Sequence, residues 1–165
     1  MWKVKYSKVH GRGIFAKKNI SKNTKIIQYV GDKITKSEGD RRSSKRIKNY
    51  LNSSVTGSVY IFELNSRYDI DGFVKWNKAK YINHSCEPNC EVDIIDNEIW
   101  ISSIKKIKAG EELTYDYGYS FDKDDYKDHV CKCGSKNCIG FIISSDEWVK
   151  YLSHIKKIIK KKINN

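Results

Sequence analysis

Asn83-His84-Ser85-Cys86-Glu87-Pro88-Asn89-Cys90 and, about one strand pair later, Gly110-Glu111-Glu112-Leu113-Thr114-Tyr115-Asp116-Tyr117-Gly118 decide how the rest of this 165-residue chain is read. Both stretches are dense in polar side chains, yet they sit between apolar, β-branched runs that read as strands. Loops with that much hydrogen-bonding capacity, placed between strands, are sites more often than scaffolding. The only proline of the chain, Pro88, stiffens the first of them.

Working outward, Glu91–Ile95 and Glu98–Ile101 alternate around Asp96-Asn97, which predicts a two-residue hairpin. Upstream, Val59–Leu64 reads as a strand preceded by a polar loop over Ser53–Ser58. Residues Ser37–Asn52 read as a helix, with Glu38 and Asp40 early and Arg41, Arg42, Lys45, Arg46 and Lys48 after them, the order that suits the helix dipole. Lys25–Val30 predicts a buried strand ended by Gly31-Asp32, and His10-Gly11-Arg12-Gly13 a tight loop leading into Ile14-Phe15-Ala16. Downstream of Ser120 the charged run Asp122–Asp128 predicts a linker, followed by a cysteine cluster and a terminal helix. Ser144 and Glu147 suggest a capping box for that helix. Trp148, Tyr151, Leu152, Ile155, Ile158 and Ile159 recur at helical spacing, as an amphipathic helix docking on the domain would have them. The expected fold class is mostly β with short helices (α+β).

Composition bounds the function. A chain of this length suits one domain with a real core and a small appendage. No run approaches the ~20 apolar residues needed to span a bilayer, and Met1-Trp2-Lys3-Val4-Lys5-Tyr6 lacks a hydrophobic signal core. The expectation is a soluble, intracellular protein, cytoplasmic or nuclear according to its source. The net charge of +12 invites a nucleic-acid reading. Lysine, however, outnumbers arginine 27 to 5, the bias that AT-rich codon usage produces, and six of the lysines lie in Lys150–Asn165. Contact with nucleic acid is therefore expected, if anywhere, through this basic C-terminal helix.

The cysteine cluster is chemically specific. Cys131-Lys132-Cys133-Gly134-Ser135-Lys136-Asn137-Cys138 places three thiols around one turn as C-x-C-x4-C, with Gly134 and Asn137 supplying unusual backbone angles. A structural zinc takes four tetrahedral ligands, so one more must arrive from elsewhere: Cys86, Cys90 or a histidine. An odd total of five cysteines and the strain of bridging adjacent C-x-C pairs argue against a disulfide framework.

Taken together, these segments resemble the SET domain of protein lysine methyltransferases, from Val9 to about Ile142, with a post-SET zinc motif and most similarity to the trithorax-type branch. The features that carry the resemblance occur in family order: His10-Gly11-Arg12-Gly13, the strand with Tyr60 and Phe62, the Asn83 loop with its Cys-Glu-Pro-Asn-Cys, the Glu111–Gly118 segment and the three late cysteines. The resemblance implies a β-fold of small sheets with a knotted active-site substructure. It implies a SET domain over residues 1–120 with an insert at about 37–58, a post-SET segment over 121–143, and a basic helix over 144–165. The implied activity is transfer of a methyl group from S-adenosylmethionine to a protein lysine, with a histone tail or another protein as substrate. The implied cofactor residues are His10, Gly11, Arg12, Gly13, Asn83, His84, Tyr117 and Phe141. Within this set the two glycines admit close backbone approach, and Arg12 meets a carboxylate. Tyr117 aligns with the family's catalytic tyrosine and Tyr60 with the tyrosine on the opposite wall of the lysine channel, while Tyr115, at an aromatic family position, leans the product toward mono- or dimethyl-lysine. Cys86 would join Cys131, Cys133 and Cys138 on a structural Zn2+, with Cys90 left as a buried thiol.

Other readings are weighed beside this one. With 11 tyrosines most must be packing residues, and Tyr29, Tyr50 and Tyr151 are read so. A loop histidine such as His84 more often makes structural hydrogen bonds than it acts as a base or ligand. Glu111 and Glu112 do not form a hydrolytic carboxylate pair, because neighbours on a strand point to opposite faces. Asp69-Ile70-Asp71-Gly72 evokes a calcium loop but lacks the later ligands. Trp76 and Lys80-Tyr81, which depart from the family pattern, are read as packing changes beside the site. The insert is read as a basic groove, unfavourable to a basic tail unless Glu63, Asp122, Asp124 or Asp125 faces it. The competing functions are a non-catalytic, zinc-stabilised chromatin- or nucleic-acid-binding module and an enzyme that needs a partner to order its groove.

Overall fold

Turn residues interrupt the apolar runs every few positions, so strands stay short and, among the described residues, no large sheet forms. The computed structural model describes residues 1–51 and 60–163. Its strands are β1 (Trp2–Tyr6), β2 (Arg12–Ala16), β3 (Lys25–Tyr29), β4 (Asp32–Thr35), β5 (Ile61–Glu63), β6 (Tyr68–Asp71), β7 (Asn83–His84), β8 (Cys90–Ile95), β9 (Glu98–Ser103) and β10 (Glu112–Tyr115), and its helices are α1 (Lys36–Leu51) and α2 (Trp148–Ile163). They form three sheets in the orders β1-β2-β10-β7, β3-β9-β8 and β4-β6-β5. Among the described residues no helix is long and apolar enough to cross a membrane.

The expected hairpin is present. Asp96 and Asn97 adopt φ of 52° and 59°, and Ile95 pairs with Glu98 across them. Two successive positive φ values match the right-handed twist of the flanking strands. The sheets close on a core that includes Ile14, Ile20, Ile82, Ile99, Ile101, Ile107 and Leu113. A second, smaller core lies entirely after Ser120: Tyr126, Ile143 and Tyr151, with Phe121, Ile139, Phe141, Trp148 and Ile155 against them.

The segment Asn83–Asn89 grips β10 by both edges. Asn83 and His84 pair in parallel with Thr114 and Tyr115, and the Ser85 N–H donates to the Tyr115 carbonyl. Asn89 meets the other edge: its side-chain amide donates to the Glu112 carbonyl, its backbone N–H to the Thr114 carbonyl, and its Oδ1 accepts from the Thr114 N–H. Successive residues of a strand turn their polar groups to opposite edges, so the loop must cross a face of β10 to reach both. The Asn83–Asn89 segment thus wraps around β10 and fastens it on both sides.

Helix α1 is fastened to the β4-β6-β5 sheet by charge. Arg46 makes a two-pronged contact with Asp71 (2.9 and 2.7 Å), Arg42 reaches Asp71, Asp32 and Glu38, and Lys36 bridges Asp69 and Glu63. Arg41, Arg42 and Arg46 of the insert each find an acidic partner, and Glu63, one of the acids named as able to face a basic groove, pairs with Lys36 just before the insert.

Other expectations also change. The Ser144–Glu147 capping box does not form: the Ser144 side chain makes no cap bond, and Glu147 instead pairs with Lys150, while a 3-10 turn over Ser145–Glu147 starts the helix. Docking of α2 uses Trp148, Tyr151 and Ile155, whereas Leu152 and Ile159 are about half exposed, because the surface offered by the second core is small. Trp76 is 66% exposed and is not a packing residue. The strand expected from Val59 begins at Ile61; Val59, the Ser53–Ser58 loop and the side chain of Tyr50 lie outside the described residues.

Candidate active site and thiolate cluster

Tyr117 lies two residues past the end of β10, and its position is fixed twice by the Asn83 segment. Its backbone N–H donates to Nδ1 of His84 (3.2 Å), and its phenol donates to the carbonyl of Ile82 (3.0 Å). With its proton committed to Ile82, the phenol oxygen keeps its lone pairs for whatever enters the site. The Tyr115 ring lies 5.0 Å from it and the Tyr119 ring 6.0 Å, while Phe62 closes the far side of Tyr115 at 5.8 Å. Tyr60 stands near enough for its phenol to interact electrostatically with those of Tyr117 and Tyr119. Its carbonyl accepts from Gly72 N–H (2.7 Å) and from the hydroxyl of Tyr29 (3.0 Å). Burial raises the pKa of Tyr29, Tyr115, Tyr117 and Tyr119 above the ordinary phenol value, so these four phenols stay neutral at physiological pH.

Asn83 ties this cluster to the His10–Gly13 loop. Its side-chain amide donates to the carbonyls of His10 and Arg12 and to Glu112 Oε1 (2.7 Å), and the other Glu112 oxygen accepts from Ser7 (2.8 Å). Asn83 and Ser7 are buried. A Cβ at Gly13 would run into the Glu112 carboxylate and press on Ser7, so a larger residue there would have to displace the side chain that holds Asn83. Gly11, in contrast, has φ of +47° and open space where a Cβ would stand. The exposed loop surface at His10 and Gly11 and the interior amide of Asn83 thus lie on two sides of one short segment. Arg12 is placed on Tyr81, 5.3 Å above its ring, with a 3.3 Å bond to its hydroxyl.

His84 is buried, which lowers its pKa, and the Asp116 carboxylate at 3.8 Å only partly offsets that. Because Nδ1 accepts from Tyr117, the proton of the neutral ring sits on Nε2, 3.7 Å from the sulfur of Cys86. One histidine therefore spans the distance from Tyr117 to the cysteine cluster through hydrogen bonds, as expected of a structural role.

The sulfurs of Cys86, Cys131, Cys133 and Cys138 lie within 4.8 Å of one another, with Cys86 3.8 Å from Cys131 and 3.9 Å from Cys138. A tetrahedron of sulfurs about 2.3 Å from zinc has edges of about 3.8 Å, so the four side chains fit that ion. Burial pushes the Cys86 thiol up to about 12, whereas at Cys133 the Ser135 hydroxyl and nearby backbone N–H groups outweigh burial and draw the thiol down to about 6. Ionised together, four sulfurs this close need a cation among them. Cys90 stays apart in the main core, 1% exposed, donating to Asn89 Oδ1. Phe141 stands in the second core, 4.9 Å from the Tyr126 ring, and bridges to Val130 beside Cys131.

Sequence reasoning missed three residues. Tyr119 extends Tyr115 and Tyr117 at a period of two, the spacing that puts side chains on one face, and that signal was available. Tyr29 was read as packing, yet its hydroxyl holds the Tyr60 backbone. Glu112 was weighed only as a hydrolytic carboxylate; nothing in one sequence announces its bonds to Asn83 and Ser7, 29 and 105 positions away.

The sequence that builds this arrangement is similar to that of known proteins. The family model for the SET domain covers residues 11–118, and the chain belongs to the SET-domain family. It is 37% identical over 140 residues, 82% of its length, to the histone-lysine N-methyltransferase, H3 lysine-4 specific, of Saccharomyces cerevisiae. Over 136 residues, 80% of its length, it is 35% identical to histone-lysine N-methyltransferase 2D of Homo sapiens and 36% identical to histone-lysine N-methyltransferase trithorax of Drosophila virilis. These stretches are 12%, 2% and 3% of the relatives' own lengths, so most of each relative lies outside the likeness.

Proposed function

We propose that this chain is a protein-lysine N-methyltransferase that uses S-adenosylmethionine to methylate the ε-amine of a lysine in a histone tail or another protein, inside the cell. The observation that carries the reading is the double tether of Tyr117 to the Asn83 segment, the same segment that stitches down the His10–Gly13 loop. S-adenosylmethionine supplies, when bound, a methyl group on a positively charged sulfur; His10, Gly11, Arg12, Gly13, Asn83, His84, Tyr117 and Phe141 would hold it.

The side chains present suit the rest of the task. The rings of Tyr60, Tyr115 and Tyr117 line a channel for the alkyl stem of lysine, and their faces attract its charge. The Tyr117 oxygen, pre-oriented by Ile82, accepts from the amine and holds it in line for transfer. Desolvation among these rings favours the neutral amine, and the proton leaves through water, so no general base is needed. Tyr115, 6% exposed, leaves little room beside the amine, which favours mono- or dimethylation. Zinc on Cys86, Cys131, Cys133 and Cys138 would pin the C-terminal core against the Asn83 loop. In this reading residues 1–120 carry the catalytic domain, 121–143 the zinc segment and 144–165 the basic helix.

A second activity is favoured by α2. Lys156, Lys157, Lys160, Lys161 and Lys162 are exposed, and none forms an ion pair among the described residues, so contact with nucleic acid would add to methylation or, in the alternative reading, replace it. Calorimetry of the zinc-loaded protein separates the two. One-to-one binding of S-adenosylmethionine supports the enzyme; salt-sensitive DNA binding with no affinity for the methyl donor supports the binding module.

A further inference from the structure

Phe73 is 60% exposed, a costly place for a phenylalanine, yet both its backbone and its ring are engaged. Its N–H donates to Oδ1 of Asp71 (3.1 Å), a carboxylate only 2% exposed. The two-pronged contact of Arg46 with the same carboxylate brings the guanidinium to 4.8 Å from the Phe73 ring. Phe73 in turn stacks on Tyr60, with centroids 5.3 Å apart and planes at 22°. The Tyr60 backbone is already held through its carbonyl by Gly72 and Tyr29, so what remains free is the rotation of its side chain. The stack with Phe73 removes that freedom.

We infer that Phe73 is a positioning residue of the lysine channel: clamped by Arg46 of α1, it holds the Tyr60 ring as a channel wall and ties the seat of the substrate lysine to that helix. This deepens the methyltransferase reading and rests on it. The order of contacts is a buried carboxylate, a planar cation fixed on it, an aromatic ring under the cation, and a second ring stacked on the first. Each link is directional, since offset stacking and cation–ring attraction both depend on orientation. The clamp therefore acts on substrate binding and leaves the methyl-donor side, held by Asn83 and His84, unaffected.

Three variants of the full chain test this: Phe73→Ala, Phe73→Tyr and Arg46→Ala. Phe73→Ala is expected to raise KM for a lysine peptide roughly threefold to tenfold, the effect of losing one aromatic pair, while the dissociation constant of S-adenosylmethionine changes by less than about twofold. Phe73→Tyr keeps the ring and is expected to restore KM. The second readout needs no activity: in protein with ring-labelled tyrosine, the NMR resonance of Tyr60 is expected to move in Arg46→Ala, where Phe73 itself is unchanged. An unaltered KM in Phe73→Ala, or an unmoved Tyr60 resonance in Arg46→Ala, overturns the clamp. If the wild-type chain transfers no methyl group, the methyltransferase reading fails, and the resonance alone decides whether the clamp exists.

Discussion

Replacing Glu112 with alanine tests the join between the two halves of the site. Glu112 accepts 2.7 Å from the Asn83 amide and 2.8 Å from the Ser7 hydroxyl, and both donors are buried. A hydrogen bond to a charged group is worth about 1.5–3 kcal/mol, and a buried donor left without a partner costs its desolvation in full. Asn83 retains the carbonyls of His10 and Arg12, which softens its loss, and Glu112 itself is only partly buried. Taking the lower end for each bond gives about 3 kcal/mol of lost stability. At about 2–4 °C per kcal/mol for a chain of this size, Tm falls by roughly 6–12 °C. Glu112→Gln keeps one acceptor for Asn83 and can donate to Ser7, so it should cost only about 1 kcal/mol. Urea unfolding followed by tryptophan fluorescence, with an unchanged slope, measures both variants. A Glu112→Ala protein within about 0.5 kcal/mol of wild type, or no difference between the two variants, would refute the argument.

Other outcomes follow from the same contacts. Tyr117→Phe should lower kcat by at least about tenfold while changing affinity for S-adenosylmethionine little, because the backbone tether to His84 survives; its stability cost should be about 1 kcal/mol, from the bond to Ile82. Cys133→Ser, or chelation, should release one zinc per chain and expose the amides of the second core to hydrogen exchange before those of the main core, as read by mass spectrometry. Burial pushes the Asp71 carboxyl up, but the bonds from Arg46 and Arg42 outweigh it and hold the group at about 2. Its folded value lies below the unfolded one, so its contribution is complete above about pH 4 and is lost as pH falls from there toward 2. Asp71→Asn should flatten acid unfolding in that window. Since the phenol of Tyr117 is raised by burial, activity should show no break from its ionisation below pH 10.

What could be read in the sequence was local. The hairpin at Asp96-Asn97, the helix α1 and the C-x-C-x4-C knuckle each rest on neighbours in the chain, and each appeared where expected. The position of Tyr117 beside His84 followed from the resemblance, since no periodicity brings residues 33 apart together. The failures share a physical cause. Ser144 and Glu147 have the right spacing for a capping box, but a nearby Lys150 offered Glu147 a stronger, charged partner. The helical stripe that includes Leu152 and Ile159 is longer than the surface available to bury it. The acidic partners of Lys36, Arg42 and Arg46, namely Asp69 and Asp71, lie on a strand far away in sequence, where they evoke only an incomplete calcium loop.

Whether the tyrosine-lined seat and the Asn83 loop form one methyl-transfer site can be settled by incubating zinc-loaded chain with isotopically labelled S-adenosylmethionine and a histone H3 peptide, then reading each lysine by mass spectrometry. Labelled mono- or dimethyl-lysine made by the wild type and nearly absent with Tyr117→Phe is the predicted outcome. Equal labelling by both proteins, or a donor that binds and reacts just as well once Asn83 is replaced, would contradict the account.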